Sequence, residues 1–139
     1  MNMQRLRQQL IEHEGVELKP YRCTSDKLTI GVGRNIEDRG ISHETAMQML
    51  NEDIDICINE LQQTLSYWND LPSRVKEGLI NLCFNMGISR LMAFKKTFAY
   101  LRSGDFGKAA DELLDSRYAN QVGQRAVDVA DMIRDGANN

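Results

Sequence analysis

Glu14, Cys23 and Thr29 fall at intervals of nine and six residues in the run HEGVELKPYRCTSDKLTIGVGRN. A carboxyl group just before a glycine, followed by a turn segment carrying a thiol and a hydroxyl, is a set of groups suited to cleaving a glycosidic bond. Such cleavage needs a proton delivered to the leaving oxygen, and a carboxylic acid is the usual donor. Two-carboxylate glycosidases place an aspartate or glutamate where this chain has a thiol. The sequence therefore asks whether one carboxyl group and a cysteine can do the work of two carboxyls.

The elements that must position these groups are legible from periodicity and turn residues. Leu6, Leu10 and Ile11 mark one face of a first helix, which should end near Glu14 because Gly15 is a good terminator. Leu18 to Cys23 and Leu28 to Val32 read as two short strands, with Thr24, Ser25, Asp26 and Lys27 turning between them. Gly31 and Gly33 signal bends or a close approach of backbone. Ser42 can cap a long helix whose apolar positions Met47, Leu50, Ile54, Ile58, Leu61 and Leu65 recur at gaps of three and four. That stripe fits either a strut between two lobes or one face of a single bundle.

Pro72 suits the first turn of a further helix with Val75, Leu79, Leu82 and Met86, closed by Gly87. Shorter helices follow: Phe94, Phe98 and Leu101 form one face, Asp105 caps the next with Ala109, Ala110, Leu113 and Leu114, and Ala126, Val129, Ala130 and Ile133 mark the last, ending at Gly136. One helix, a hairpin and then many helices is an α+β plan, mostly helical, with segregated elements.

A chain of 139 residues fits a single domain with a real core. Its 42% hydrophobic and 27% charged residues, with only two prolines, are ordinary for a globular protein and argue against a disordered linker. The N-terminal run lacks the apolar stretch of a signal peptide or membrane span, so a soluble, cytoplasmic chain without a signal peptide is expected. Cys23, Cys57 and Cys83 are odd in number and unpatterned in spacing, which suggests reduced thiols, no disulfide framework, no metal and no cofactor; Cys57 and Cys83 read as small core residues. A net charge of −3 speaks against nucleic acid. A cysteine hydrolase pairing Cys23 with His13 or His43 is a competing reading, carried only by residue types.

Glu14-Gly15, then Cys23, then Thr29-Ile30-Gly31-Val32-Gly33 resembles the active-site segment of the phage-type lysozymes, glycoside hydrolase family 24, whose pattern is Glu, eight residues, Asp or Cys, five residues, Thr. Leu79 to Gly87, LINLCFNMG, is similar to that family's central buried helix, and Ser116 to Gln121, SRYANQ, with Arg125, is similar to its C-terminal cleft segment. The resemblance covers nearly the whole chain in order. It implies a lysozyme-like fold, with a hairpin lobe at about 14–60 and a helical lobe at about 61–139 plus the N-terminal helix 1–13, joined by the long helix.

The resemblance also implies an endolysin that hydrolyses the β-1,4 bond between N-acetylmuramic acid and N-acetylglucosamine in bacterial peptidoglycan. Such an enzyme would be made in the host cytoplasm, reach the wall through a membrane lesion, act as a monomer and release phage progeny. A catalytically impaired wall-binding relative and a lytic transglycosylase are the alternatives.

In the hydrolase, Glu14 would be the general acid. The partial negative charge of a helix C-terminus favours a protonated carboxyl, which an acid catalyst requires. Cys23 and Thr29 would manage the water on the opposite face, with catalytic groups roughly 6.5–9.5 Å apart as in inverting enzymes. An ordinary thiol, with a pKa of about 8.5, is a poor base at neutral pH unless a cation lowers it, and Arg22 and Lys27 are the local candidates. Water positioning shared with Thr29 is the preferred role for Cys23, ahead of base or nucleophile. Phe84, Asn85, Thr97 and Gln121 match positions that bind saccharide, and Arg125 matches an arginine that pairs with the acid.

Overall fold

The structure, a computed structural model, describes residues 1–136. Contacts divide the chain into two compact units, Met1–Gln48 and Met49–Asn139.

The first unit opens with α1 (Met3–Glu14), started by Asn2, whose side chain accepts the Arg5 N–H. Gly15 stops it at φ 74°, a left-handed value that glycine adopts without a Cβ penalty. Its N–H closes on the Ile11 carbonyl at 2.8 Å. A three-stranded antiparallel sheet follows in the order β1 (Glu17–Arg22), β2 (Leu28–Gly31), β3 (Arg34–Asn35). Tyr21 pairs with Thr29 and Arg22 with Leu28, and the register shifts between Glu17 and Tyr21. Pro20 lies in that irregular stretch, where it has no N–H to give a regular ladder.

The β1–β2 turn is closed by Cys23 N–H to Lys27 O at 3.0 Å and Asp26 N–H to Cys23 O at 2.8 Å. Asp26 takes φ 59°, which aspartate tolerates better than most residues with a Cβ. The sequence reading did not contain β3 or the single-turn helix α2 (Ile36–Arg39). Both lie in the short run RNIEDR, which has no room for a period. Local capping holds α2 instead, with Asn35 Oδ1 accepting the Asp38 N–H at 3.1 Å.

The long helix α3 (His43–Thr64) begins in the first unit and ends in the second. Ser42 caps it as expected, its hydroxyl oxygen accepting the Thr45 N–H at 3.0 Å.

The second unit continues through a 3-10 turn at Trp68–Asp70 and then α4 (Ser73–Met86), α5 (Ile88–Leu91), α6 (Lys95–Ser103), α7 (Phe106–Leu114), α8 (Arg117–Val122) and α9 (Gln124–Asp135). Pro72 stands one place ahead of the first helical residue of α4, and Gly87 ends that helix at φ 83°. Asp105 caps α7 through the Lys108 N–H at 3.2 Å. Helix α9 packs on both α4 and α7, and α6 packs on α7. Leu61, Val75, Leu79, Leu82, Leu101, Leu113, Val129 and Ile133 are essentially sealed from water there.

Cys57 and Cys83 are buried in the same core. The plan is the mostly helical α+β one, with a small antiparallel sheet. Among the described residues, no helix is long and apolar enough to cross a membrane.

Candidate active site

In the first unit, α1 delivers Glu14 as its last residue. The side chain reaches over the turn that follows β2. Its Oε2 and Cδ lie 2.6 Å and 2.9 Å from where a Cβ on Gly33 would stand. The close backbone approach signalled by Gly33 is therefore an approach to the carboxyl group of Glu14. Glu14 itself is exposed.

Cys23 and Thr29 meet across the β1–β2 turn, with Thr29 only 3% exposed on the central strand. The Thr29 hydroxyl lies 2.8 Å from the Lys27 carbonyl, to which it donates. It also lies near enough to the Cys23 sulfur to favour the thiolate.

The Cys23 thiol is held below the ordinary thiol range. The Lys27 amide contributes most, followed by the Ser25 amide and the Thr29 hydroxyl, with burial opposing them. This corrects the expectation that a cation would be responsible. Arg22 sits 3.4 Å from Glu37, and Lys27 sits 3.6 Å from Glu37 and 3.4 Å from Asp38, so the acids of α2 engage both cations. Asp38 first and Glu37 after it raise the Lys27 pKa in turn. These exposed, solvent-screened pairs hold α2 to the hairpin only weakly. None of the groups that lower Cys23 is a histidine, so nothing at the thiol supports the Cys–His hydrolase reading.

In the second unit, Phe84 and Arg125 line one depression of about 260 Å³ together with Leu50, Ile54, Ile80 and Asn81. Asn81 Oδ1 accepts the Arg125 Nε–H at 3.0 Å, which fixes the plane of the guanidinium. Asn85, one residue beyond Phe84, accepts the Tyr118 hydroxyl at 2.8 Å through Oδ1, leaving its amide N–H groups to point elsewhere. Tyr118 is braced edge-on against Phe94, with ring centroids 6.1 Å apart. Burial raises its pKa, and the nearby Arg125 charge opposes that rise.

Thr97 lies apart from these groups. It is 3% exposed and lines a second depression with Phe94, Lys95 and Ser116. Gln121 is exposed on α8 and lines neither depression. Among the described residues, no cluster of three or more His, Cys, Asp or Glu is placed to hold a metal ion.

The residues that sequence reasoning passed over are Asn81, Tyr118 and the backbone amides at Cys23. Asn81 and Tyr118 lie inside the runs LINLCFNMG and SRYANQ, but no spacing in a sequence ties position 118 to 85 or 125 to 81. The amides are invisible to residue type altogether.

The hairpin with its thiol and hydroxyl, the carboxyl at the end of the preceding helix and the arginine of the helical unit all fall inside one stretch that a family comparison matches. The family model described as phage lysozyme matches residues 11–130. The chain belongs to the phage lysozyme family. It is similar to the probable T4-type lysozyme 2 of Dictyostelium discoideum, 26% identical with 94% of each chain covered. The probable T4-type lysozyme 1 of the same organism is 25% identical, with 91% of each covered. The endolysin of Bacillus phage B103 is 29% identical over 73% of this chain and 40% of its own length. Its family is one of lysozyme-like peptidoglycan hydrolases.

Proposed function

We propose that this phage-lysozyme family member hydrolyses the β-1,4 bond between N-acetylmuramic acid and N-acetylglucosamine, serving host lysis and the release of phage. Glu14 gives its proton to the glycosidic oxygen as the C1–O bond breaks. A water then adds to C1, held by the Thr29 hydroxyl and the Cys23 sulfur, and Cys23 as thiolate takes the proton that the water sheds. Solvent restores the proton on Glu14 and removes it from Cys23.

One observation chiefly supports this reading: Cys23 and Thr29 share a hydrogen-bonded turn in which backbone amides favour the thiolate. A group so placed accepts a proton more readily than a free thiol, which answers the chemical objection to a cysteine at this position. Saccharide contacts are allotted to Phe84, Asn85, Thr97, Gln121 and Arg125 of the second unit. The enzyme is taken to act as a monomer on the wall after passing a membrane lesion.

The product ends test the reaction. Purified peptidoglycan digested with the protein should yield reducing muramic acid ends. Anhydromuramic ends would replace hydrolysis by transglycosylation.

A further inference from the structure

We propose that Gly33 is a positioning residue whose absent side chain forms the seat of the Glu14 carboxyl; this builds on the reading of Glu14 as the acid. Two glycines flank Val32, Gly31 as the last residue of β2 and Gly33 in the turn beyond it, and both take left-handed backbone, φ 71° at Gly31 and φ 63° at Gly33. Backbone conformation accounts for a glycine at each. The space around them differs. A Cβ on Gly31 would meet nothing within 4 Å, whereas one on Gly33 would stand 2.6 Å from Glu14 Oε2, 2.9 Å from Cδ and 3.1 Å from Cγ.

The Glu14 side chain thus occupies the volume that any other residue at position 33 would fill. A methyl group there would drive the carboxyl back by about 1 Å to reach ordinary contact near 3.5 Å. The obstructed atoms belong to the free end of a flexible side chain, so the carboxyl moves and the turn stays. An acid must lie within hydrogen-bond reach of the leaving oxygen, and a misplacement of this size costs roughly 10²-fold in rate. Gly31 supplies the control, since alanine there also meets a positive φ but an empty space.

Gly33→Ala and Gly31→Ala are compared for turnover and KM on purified peptidoglycan. They are also compared for the ¹³C resonance of the Glu14 carboxyl, assigned through Glu14→Gln. Gly33→Ala should lower kcat roughly 10²-fold with little change in KM and shift the resonance, whereas Gly31→Ala should leave both near wild type. A double-mutant cycle adds a thermal readout: in a Glu14→Ala background, the Tm loss from Gly33→Ala should shrink to that of Gly31→Ala. An unshifted resonance or an undiminished Tm loss overturns the seat, even if the protein proves a muramidase. If the protein cleaves no peptidoglycan but the resonance shifts, the seat stands and the assigned reaction falls.

Discussion

Replacing Thr29 by valine removes one oxygen from the hairpin and keeps its outline. The lost hydroxyl lies 2.8 Å from the Lys27 carbonyl, and that carbonyl also accepts the Cys23 N–H at 3.0 Å. Valine therefore orphans no acceptor there. The cost should stay near the net worth of one hydrogen bond, about 0.5–1.5 kcal/mol, below the 1–3 kcal/mol of an unsatisfied buried group. In a chain of this size that lowers Tm by roughly 2–6 °C. The Lys27 and Ser25 amides remain at Cys23 while one favourable contact disappears, so the thiol pKa should rise toward its ordinary value. Alkylation rate against pH measures the thiol, a thermal melt the stability, and reducing-end release the turnover. If Thr29 holds the attacking water, turnover falls roughly 10²-fold, far more than the small Tm change would produce. Turnover at the wild-type level, or an unmoved alkylation curve, would refute the role given to the Cys23–Thr29 pair.

Tyr118→Phe deletes the 2.8 Å bond to Asn85 and spares the ring contact with Phe94. KM for wall fragments should then rise roughly 2- to 13-fold at constant kcat, the equivalent of 0.5–1.5 kcal/mol; an unchanged KM removes Asn85 from the saccharide contacts. Gly78→Ala, in the interior of α4, would set its Cβ 3.5 Å from Ile133 and Val129, which is ordinary contact. Urea melts should show a gain of about 0.5–1 kcal/mol, and a loss would contradict the packing of α4 on α9. In native protein, iodoacetamide should modify Cys23 first, along a pH curve lying below that of an ordinary thiol. Cys83 should resist, because burial first and its neighbour Cys57 next push its pKa up to about 12. The native state then holds the Cys83 proton more tightly than the unfolded chain. Its contribution is whole below the unfolded thiol value of about 8.5 and is lost as pH climbs beyond it, so urea melts of Cys83→Ala should show a weaker alkaline loss than wild type.

The sequence revealed most where one residue type has one physical use. Ser42 and Asp105 announced helix starts because a side-chain oxygen there satisfies an otherwise orphaned N–H, and Gly15 and Gly87 announced ends because the chain turns left-handed. The stripe through α4 and α9 marked the core because burial follows helical period. α2 and β3 escaped because a few residues held by local capping and pairing carry no period. At the site, the types and spacing of Glu14, Cys23 and Thr29 were legible, whereas the cause of the Cys23 shift was not. Residue identity drew attention to Arg22 and Lys27, yet α2 engages both, and the backbone amides that act on the sulfur belong to no residue type. Gly33 shows the same boundary: its glycine was readable, its partner was a matter of three dimensions.

The acid assignment is the claim on which the rest depends, and Glu14→Gln tests it most directly. The substitution keeps the side chain's size and removes the proton that the leaving oxygen must receive. With circular dichroism and Tm matching wild type, release of reducing ends from purified peptidoglycan should fall to background. Retention of wild-type release by a folded Glu14→Gln protein would contradict the account.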